Sequence, residues 1–202
     1  MNDALRNEIL KLKQEKNAVF LCHIYQSPEI QDLADYIGDS LGLSREASNV
    51  TSDVILFCGV YFMAETAAIL NPDKKVIIPD QSAGCPMADM IDPDKLAELK
   101  SQYPGAPVVC YVNSTAETKA LSDICVTSAN ALSIVSKLPH DTVIFVPDKY
   151  LGLYVSRNVD KNVILYPGYC PVHVKISPAQ VEEARRAHPD AVVMVHPECV
   201  PE

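Results

Sequence analysis

At 202 residues, 48% of them hydrophobic, the chain can bury one sizeable core or two small ones, and its formal charge of -9 without an offsetting Lys/Arg cluster argues against a nucleic-acid partner. The longest apolar stretch, 54–64, is too short to cross a bilayer. Segment 1–16 is charged, with Leu5, Ile9 and Leu12 at helical spacing, the pattern of an amphipathic surface helix rather than a signal peptide, so a soluble cytoplasmic protein without a membrane partner is expected.

Apolar runs of strand length alternate with helix-like stretches, the pattern of βα units that build parallel sheets. In chain order the reading is a helix over 2–16, a strand over 18–24, helices over 28–37 and 44–50, a strand over 53–58, a helix over 61–70 and a strand over 75–79. It continues with a helix over 93–102, a strand over 107–112, helices over 115–121 and 129–137, strands over 142–147 and 162–166, a helix over 178–187 and a strand over 191–195. Glycines 59, 84, 105, 152 and 168 and frequent prolines mark the connections.

Segments 18–25, 106–113 and 191–198 repeat one pattern, an apolar run with polar groups at i and i+2 near its end, and their starts lie 88 and 85 residues apart. On a strand such positions share a face, which pairs His23 with Tyr25, Tyr111 with Asn113, and His196 with Glu198. Cys85 and Cys170, also 85 residues apart, each follow a strand and loop and precede a proline. A third equivalent would fall near residue 255, roughly, if the period held, in a protein of about 280 to 300 residues of which this chain is a truncated form. The expected domains are 1–104, 105–189, and 190–202 as the first strand of a third unit. The fold class is α/β, with αβα domains repeated around small parallel sheets in a pseudo-threefold arrangement. Ligands of such sheets bind beyond the carboxyl ends of the strands, where the polar pairs and both Cys-Pro loops would lie.

Seven cysteines, an odd number, argue against a disulfide framework. Cys22, Cys58, Cys110 and Cys125 lie in or beside apolar strands and read as small hydrophobes. Cys85 and Cys170 lie in Gly-containing loops, where backbone N–H groups can stabilise a thiolate. Three thiolates from three units suit a [4Fe-4S] cluster with one open iron, a Lewis acid for a substrate hydroxyl or carboxylate, while plain structural thiols are the other reading. Structural zinc fits less well, since it takes four ligands, partly from close Cys pairs.

The remaining polar groups each carry two readings. His173 is a base or anion ligand, or an ordinary loop histidine. His23 and His196, at strand ends, are acid–base groups or satisfied structural ones. Ser40 and Ser128 precede helix-like stretches and hold a phosphate or carboxylate, or act as caps. Asp80 and Asp148 end strands in Pro-Asp pairs and read as turn residues. Neither a dinucleotide fingerprint nor a P-loop occurs.

Taken in order, His23-Ile24-Tyr25-Gln26, Gly38-Asp39-Ser40, the stretch 57–66, Ala83-Gly84-Cys85, Tyr111-Val112-Asn113, Thr127-Ser128-Ala129-Asn130, the stretch 167–173 and His196-Pro197-Glu198-Cys199 closely resemble quinolinate synthase, the NadA family. The resemblance implies three αβα domains about a pseudo-threefold axis, with an oxygen-sensitive [4Fe-4S] cluster in the central cavity. It further implies condensation of iminoaspartate with dihydroxyacetone phosphate to quinolinate in de novo NAD biosynthesis, and a functional link to an aspartate oxidase or dehydrogenase that makes iminoaspartate. By motif match, Cys85 and Cys170 resemble cluster ligands. Cys199 belongs to a motif the family carries in addition to its three ligands. Tyr25 and Glu198 resemble acid–base participants, with His196 beside Glu198. His23, Tyr111, Asn113 and His173 resemble groups lining the substrate, and Ser40 and Ser128 groups that bind its carboxylate or phosphate. A chain that stops before a third ligand is expected to be inactive or to hold a cluster weakly. The rival readings are an inactive scaffold that binds a small anion and an iron–sulfur hydro-lyase.

Overall fold

Strands buried on both faces need apolar side chains throughout rather than alternation, and Ala-Val-Phe-Leu-Cys-His, Val-Val-Cys-Tyr and Thr-Val-Ile-Phe-Val meet that need. In the computed structural model, which describes residues 2–201, these three runs are central strands of two four-stranded parallel sheets. The chain divides into two compact units, at Cys85–Pro86.

The first unit comprises α1 (Asp3–Glu15), β1 (Ala18–His23), α2 (Pro28–Gln31), β2 (Tyr36–Gly38), α3 (Ser40–Asn49), β3 (Val54–Cys58), α4 (Tyr61–Leu70) and β4 (Lys75–Ile77), with strand order β2-β1-β3-β4. The second comprises α5 (Pro93–Gln102), β5 (Val108–Tyr111), α6 (Ala116–Ala120), β6 (Ile124–Val126), α7 (Ala131–Lys137), β7 (Thr142–Val146), α8 (Lys149–Ser156), β8 (Asn162–Leu165) and α9 (Pro178–Ala187), with order β6-β5-β7-β8. The two orders are the same. In each, the chain leaves the first strand toward one edge and returns to build the other, so the switch point lies between β1 and β3, and between β5 and β7.

The likeness extends to individual bonds. Phe20 N–H donates to Asp35 Oδ2 at 2.8 Å, and Val108 N–H to Asp123 Oδ2 at 2.7 Å. Lys13 Nζ reaches the Leu33 carbonyl, as Lys100 Nζ reaches that of Leu121. Lys74 donates to the Val50 carbonyl, as Lys161 does to that of Leu138. Equivalent side chains doing equivalent work at one spacing are what a duplicated unit produces.

The boundary expected near Pro104–Gly105 falls inside the second unit, because each unit opens with the helix that covers its first strand. Leu96 of α5, with Ile91, is buried against Val108, Cys110, Ile144 and Val146. Burying a leucine in this way contributes roughly 1.5–3 kcal/mol. Sequence periodicity missed three elements. The expected helix 28–37 is one turn, α2, followed by the short strand β2, and β6 and α8 were not anticipated. β2 and β6 are three-residue edge strands with too little apolar pattern to register, whereas the equally short β4 lies in the apolar run 75–79. The expected strand over 191–195 is not formed: Val192 is 88% and Met194 91% exposed, and no ladder partner lies among the described residues. No described helix is long and apolar enough to cross a membrane.

Candidate functional site

In the first unit His23 ends β1, at the switch point, half-buried. The Tyr25 ring meets it edge-on at 4.6 Å between centroids, and Tyr25 itself is 83% exposed. Burial lowers the His23 pKa, against a smaller upward pull from the Asp39 charge. Ser40 is the first residue of α3, but the cap is Asp39, whose carboxylate accepts from Gly42 N–H at 2.7 Å. Cys85 is half-buried, after a loop pinned by Tyr61 N–H donating to the Ala83 carbonyl at 2.7 Å.

The second unit brings more of the expected residues together. Tyr111 ends β5 at the switch point, and its buried phenol lies near Glu198 and Ser128. Burial, then the negative charge of Glu198, pushes the Tyr111 pKa far up, so the phenol keeps its proton. Glu198 is 2% exposed, and its Oε2 lies 2.8 Å from His173 Nδ1. His173 Nδ1 also lies 3.1 Å from Cys170 Sγ, and the His196 ring stacks on that of His173 at 4.8 Å. His196 Nδ1 accepts from Glu198 N–H at 3.3 Å, the same bond that Tyr25 N–H makes to His23 Nδ1. Residues i and i+2 are thus coupled through the backbone of a turn rather than across one face of a strand. Burial lowers the His196 pKa, favouring the neutral ring.

Three buried oxygens lack a hydrogen-bond partner among the described residues: Asn113 Oδ1, Thr127 Oγ1 and Glu198 Oε1. Buried polar atoms are rarely left unpaired unless a ligand or water completes them. These three belong to, or adjoin, the residues just described. A cleft of about 820 Å³ adjoins them, with Ser128, Tyr154, Arg157, Arg185, His196 and Cys199 in its wall.

Cys170 stands where a metal-binding thiolate could form. Burial raises its pKa, the backbone N–H groups of His173 and Val172 partly oppose that rise, and the charge of Glu198 adds to it. The ligand atoms of Cys170, His173 and Glu198 all lie within 4.8 Å of one another. Asp148, which sequence reasoning assigned to a turn, holds this loop. Completely buried, it caps α8 by accepting from Tyr150 and Leu151 N–H with Oδ1, and its Oδ2 accepts from Cys170 N–H at 3.1 Å. Its only sequence signal was its place as a helix N-cap, obscured because α8 itself went unrecognised.

The loop tolerates no side chain at 168. A Cβ there would lie 2.4 Å from the Pro147 carbonyl oxygen, which is backbone and cannot step aside. Gly168→Ala is expected to cost about 2–3 kcal/mol in a urea titration, and to break the bond from Lys149 N–H to the Gly168 carbonyl. An unchanged urea midpoint would contradict this packing.

The family profile of quinolinate synthetase A protein matches residues 7–202. The chain belongs to that family. Quinolinate synthases of Dehalococcoides mccartyi and Methanoregula boonei are each 56% identical, over 200 and 198 residues, covering 99% and 98% of this chain. That of Pyrococcus abyssi is 59% identical over 197 residues, or 96% of the chain. The chain spans 66% of the length of each of these three relatives. In this chain the second unit by itself gathers a thiol, two imidazoles and a carboxylate around His173, with the Tyr111 phenol near Glu198.

Proposed function

We propose that this chain carries the first two units of a quinolinate synthase, which condenses iminoaspartate with dihydroxyacetone phosphate, releasing phosphate and two waters. The observation that carries the reading is the buried Glu198 carboxylate, with one oxygen on His173 and the other open to a ligand, beside a protonated Tyr111. Such a pair can take a proton from one substrate atom and return one to another, as isomerisation and dehydration require. Ser128 and Asn113 have hydroxyl and amide groups suited to a carboxylate or phosphate, and Arg157 in the adjoining cleft supplies positive charge, while Arg185 there is paired with Glu182. His23, Tyr25 and Ser40 of the first unit are assigned to the same substrate by motif. Iminoaspartate hydrolyses readily, so an enzyme that oxidises aspartate must supply it.

Cys85 and Cys170 are proposed ligands of a [4Fe-4S] cluster. Cys170 is half-buried, and burial together with Glu198 raises its pKa, so a bound metal would have to displace the thiol proton. When bound, the cluster would supply a Lewis-acidic iron for a substrate oxygen. The compact Cys170, His173 and Glu198 set favours a second reading, a single divalent ion without sulfide.

Anaerobic reconstitution of a version extended to the length of its relatives, followed by iron, sulfide and zinc analysis and by product analysis, tests both readings. Four irons and four sulfides per chain, with quinolinate formed, are expected. Cys85→Ser or Cys170→Ser should then lower bound iron to near background, while Cys125→Ser leaves it unchanged. One zinc per chain without sulfide would favour the second reading, and dehydration without condensation would point to a hydro-lyase. The 202-residue polypeptide alone should retain less iron than the extended version.

A further inference from the structure

Cys110 on β5 and Cys125 on β6 are directly paired in the parallel ladder, so both thiols stand on one face of the sheet. The spacing of neighbouring strands, about 4.8 Å, falls within the Cα separations that a disulfide can span. The two thiols differ in access. Cys110 is completely buried with Leu96, Val108 and Ile144, whereas β6 is an edge strand and Cys125 is exposed. The Cys110 thiol donates to the Tyr111 carbonyl at 3.4 Å. The neighbouring Cys110 thiol and then the charge of Lys119 lower the Cys125 pKa to about 7, while Cys125 and burial push Cys110 upward.

We propose that Cys125 is a peroxide-reactive thiol and Cys110 its resolving partner, the pair closing to a cross-strand disulfide on oxidation. The Cys125 thiolate attacks a hydroperoxide oxygen and breaks the O–O bond. The distal oxygen leaves as water or an alcohol after taking a proton, and Cys125 becomes a sulfenic acid. Cys110 sulfur then displaces the hydroxyl, which leaves as water with the Cys110 proton. Two electrons pass from the dithiol to the hydroperoxide.

The first sheet contains a control. Cys22 and Cys58 are paired in the same way between β1 and β3, but both are buried, and burial raises Cys58 to about 11. They stay reduced.

The test treats the 202-residue chain with one equivalent of hydrogen peroxide, alkylates the remaining thiols and digests it without reduction. The expected product is a peptide pair linked through Cys110 and Cys125, with Cys22 and Cys58 alkylated on denaturation. Cys125→Ser should leave Cys110 reduced, and Cys110→Ser should leave a Cys125 sulfenic acid that dimedone traps. Before oxidation, iodoacetamide should modify Cys125 about threefold faster at pH 7 than it modifies free cysteine. In Cys110→Ala, which leaves no donor at that position, the pH inflection of that rate should move upward. Disulfides that instead join Cys85, Cys170 or Cys199, oxidation of Cys22 with Cys58 to the same extent, or ordinary Cys125 reactivity would overturn the proposal.

Discussion

Glu198→Gln, in a reconstituted version extended to the length of its relatives, is expected to lower kcat by about 10²–10⁴-fold while leaving the fold intact. Glutamine matches glutamate in shape and keeps an oxygen able to accept from His173 Nδ1, now 2.8 Å from the carboxylate. It cannot accept a proton from substrate. Removing a charge from a residue only 2% exposed also removes its desolvation cost, so the change in stability should stay within about 1 kcal/mol. Glu198→Ala is a different perturbation, because it leaves the buried side of His173 facing a void. If Glu198 served only to hold His173 in place, Glu198→Gln would retain most of its activity, and the iron content of the two proteins would also match. Turnover that survives the glutamine variant at equal iron loading would remove Glu198 from the chemistry.

Fold class was the most legible property, because it rests on hydrophobic runs long enough to be seen. The central strands β1, β3, β5 and β7 were each located within a residue or so at either end, and α4, α5 and α9 were bounded as they occur. The three-residue strands β2 and β6 were not legible, since their order comes from the ladder with a neighbour, whereas the equally short β4 was found because it opens the apolar run 75–79. The unmade strand over 191–195 has the reverse cause. It has strand composition, but backbone groups need a partner before a ladder can exist.

Residues of the candidate site were legible in proportion to how local their signal is. The i, i+2 spacing of His196 and Glu198 pointed to an association, yet the structure makes it through a backbone N–H and an imidazole. Cys170 and His173 stood close in sequence, and the short turn after Cys170 brings sulfur and ring nitrogen to 3.1 Å. The approach of Glu198 to His173, across 25 residues, depends on tertiary packing and had no sequence signal. The pairing of Cys110 with Cys125 was equally hidden, because it required recognising β6 and its register.

Asp148 is where the structure departs furthest from the sequence reading, and Asp148→Ala should be among the most damaging single changes in the second unit. Three backbone N–H groups would lose their acceptor at a completely buried position, those of Tyr150, Leu151 and Cys170. Each buried donor left unpaired costs about 1–3 kcal/mol, so a total loss of about 3–5 kcal/mol is expected after partial relaxation. Asp148→Asn separates the two tasks. Its oxygen can still cap α8, but its amide nitrogen would face the Cys170 N–H, donor against donor, and release the loop. The asparagine variant should therefore unfold near the wild-type urea midpoint at neutral pH while its Cys170 thiol reacts faster with alkylating agents. Burial raises the Asp148 pKa from 3.8 to about 6, so the unfolded chain gives up this proton at lower pH than the folded one. Its contribution to wild-type stability is fully present below about pH 4 and is lost as pH rises through about 6. Asparagine, which does not titrate, lacks that loss, so the stability advantage of the metal-free wild type over Asp148→Asn should shrink across this window. A gap that widens with pH would mean that the carboxylate is stabilised by its three N–H donors more than burial destabilises it.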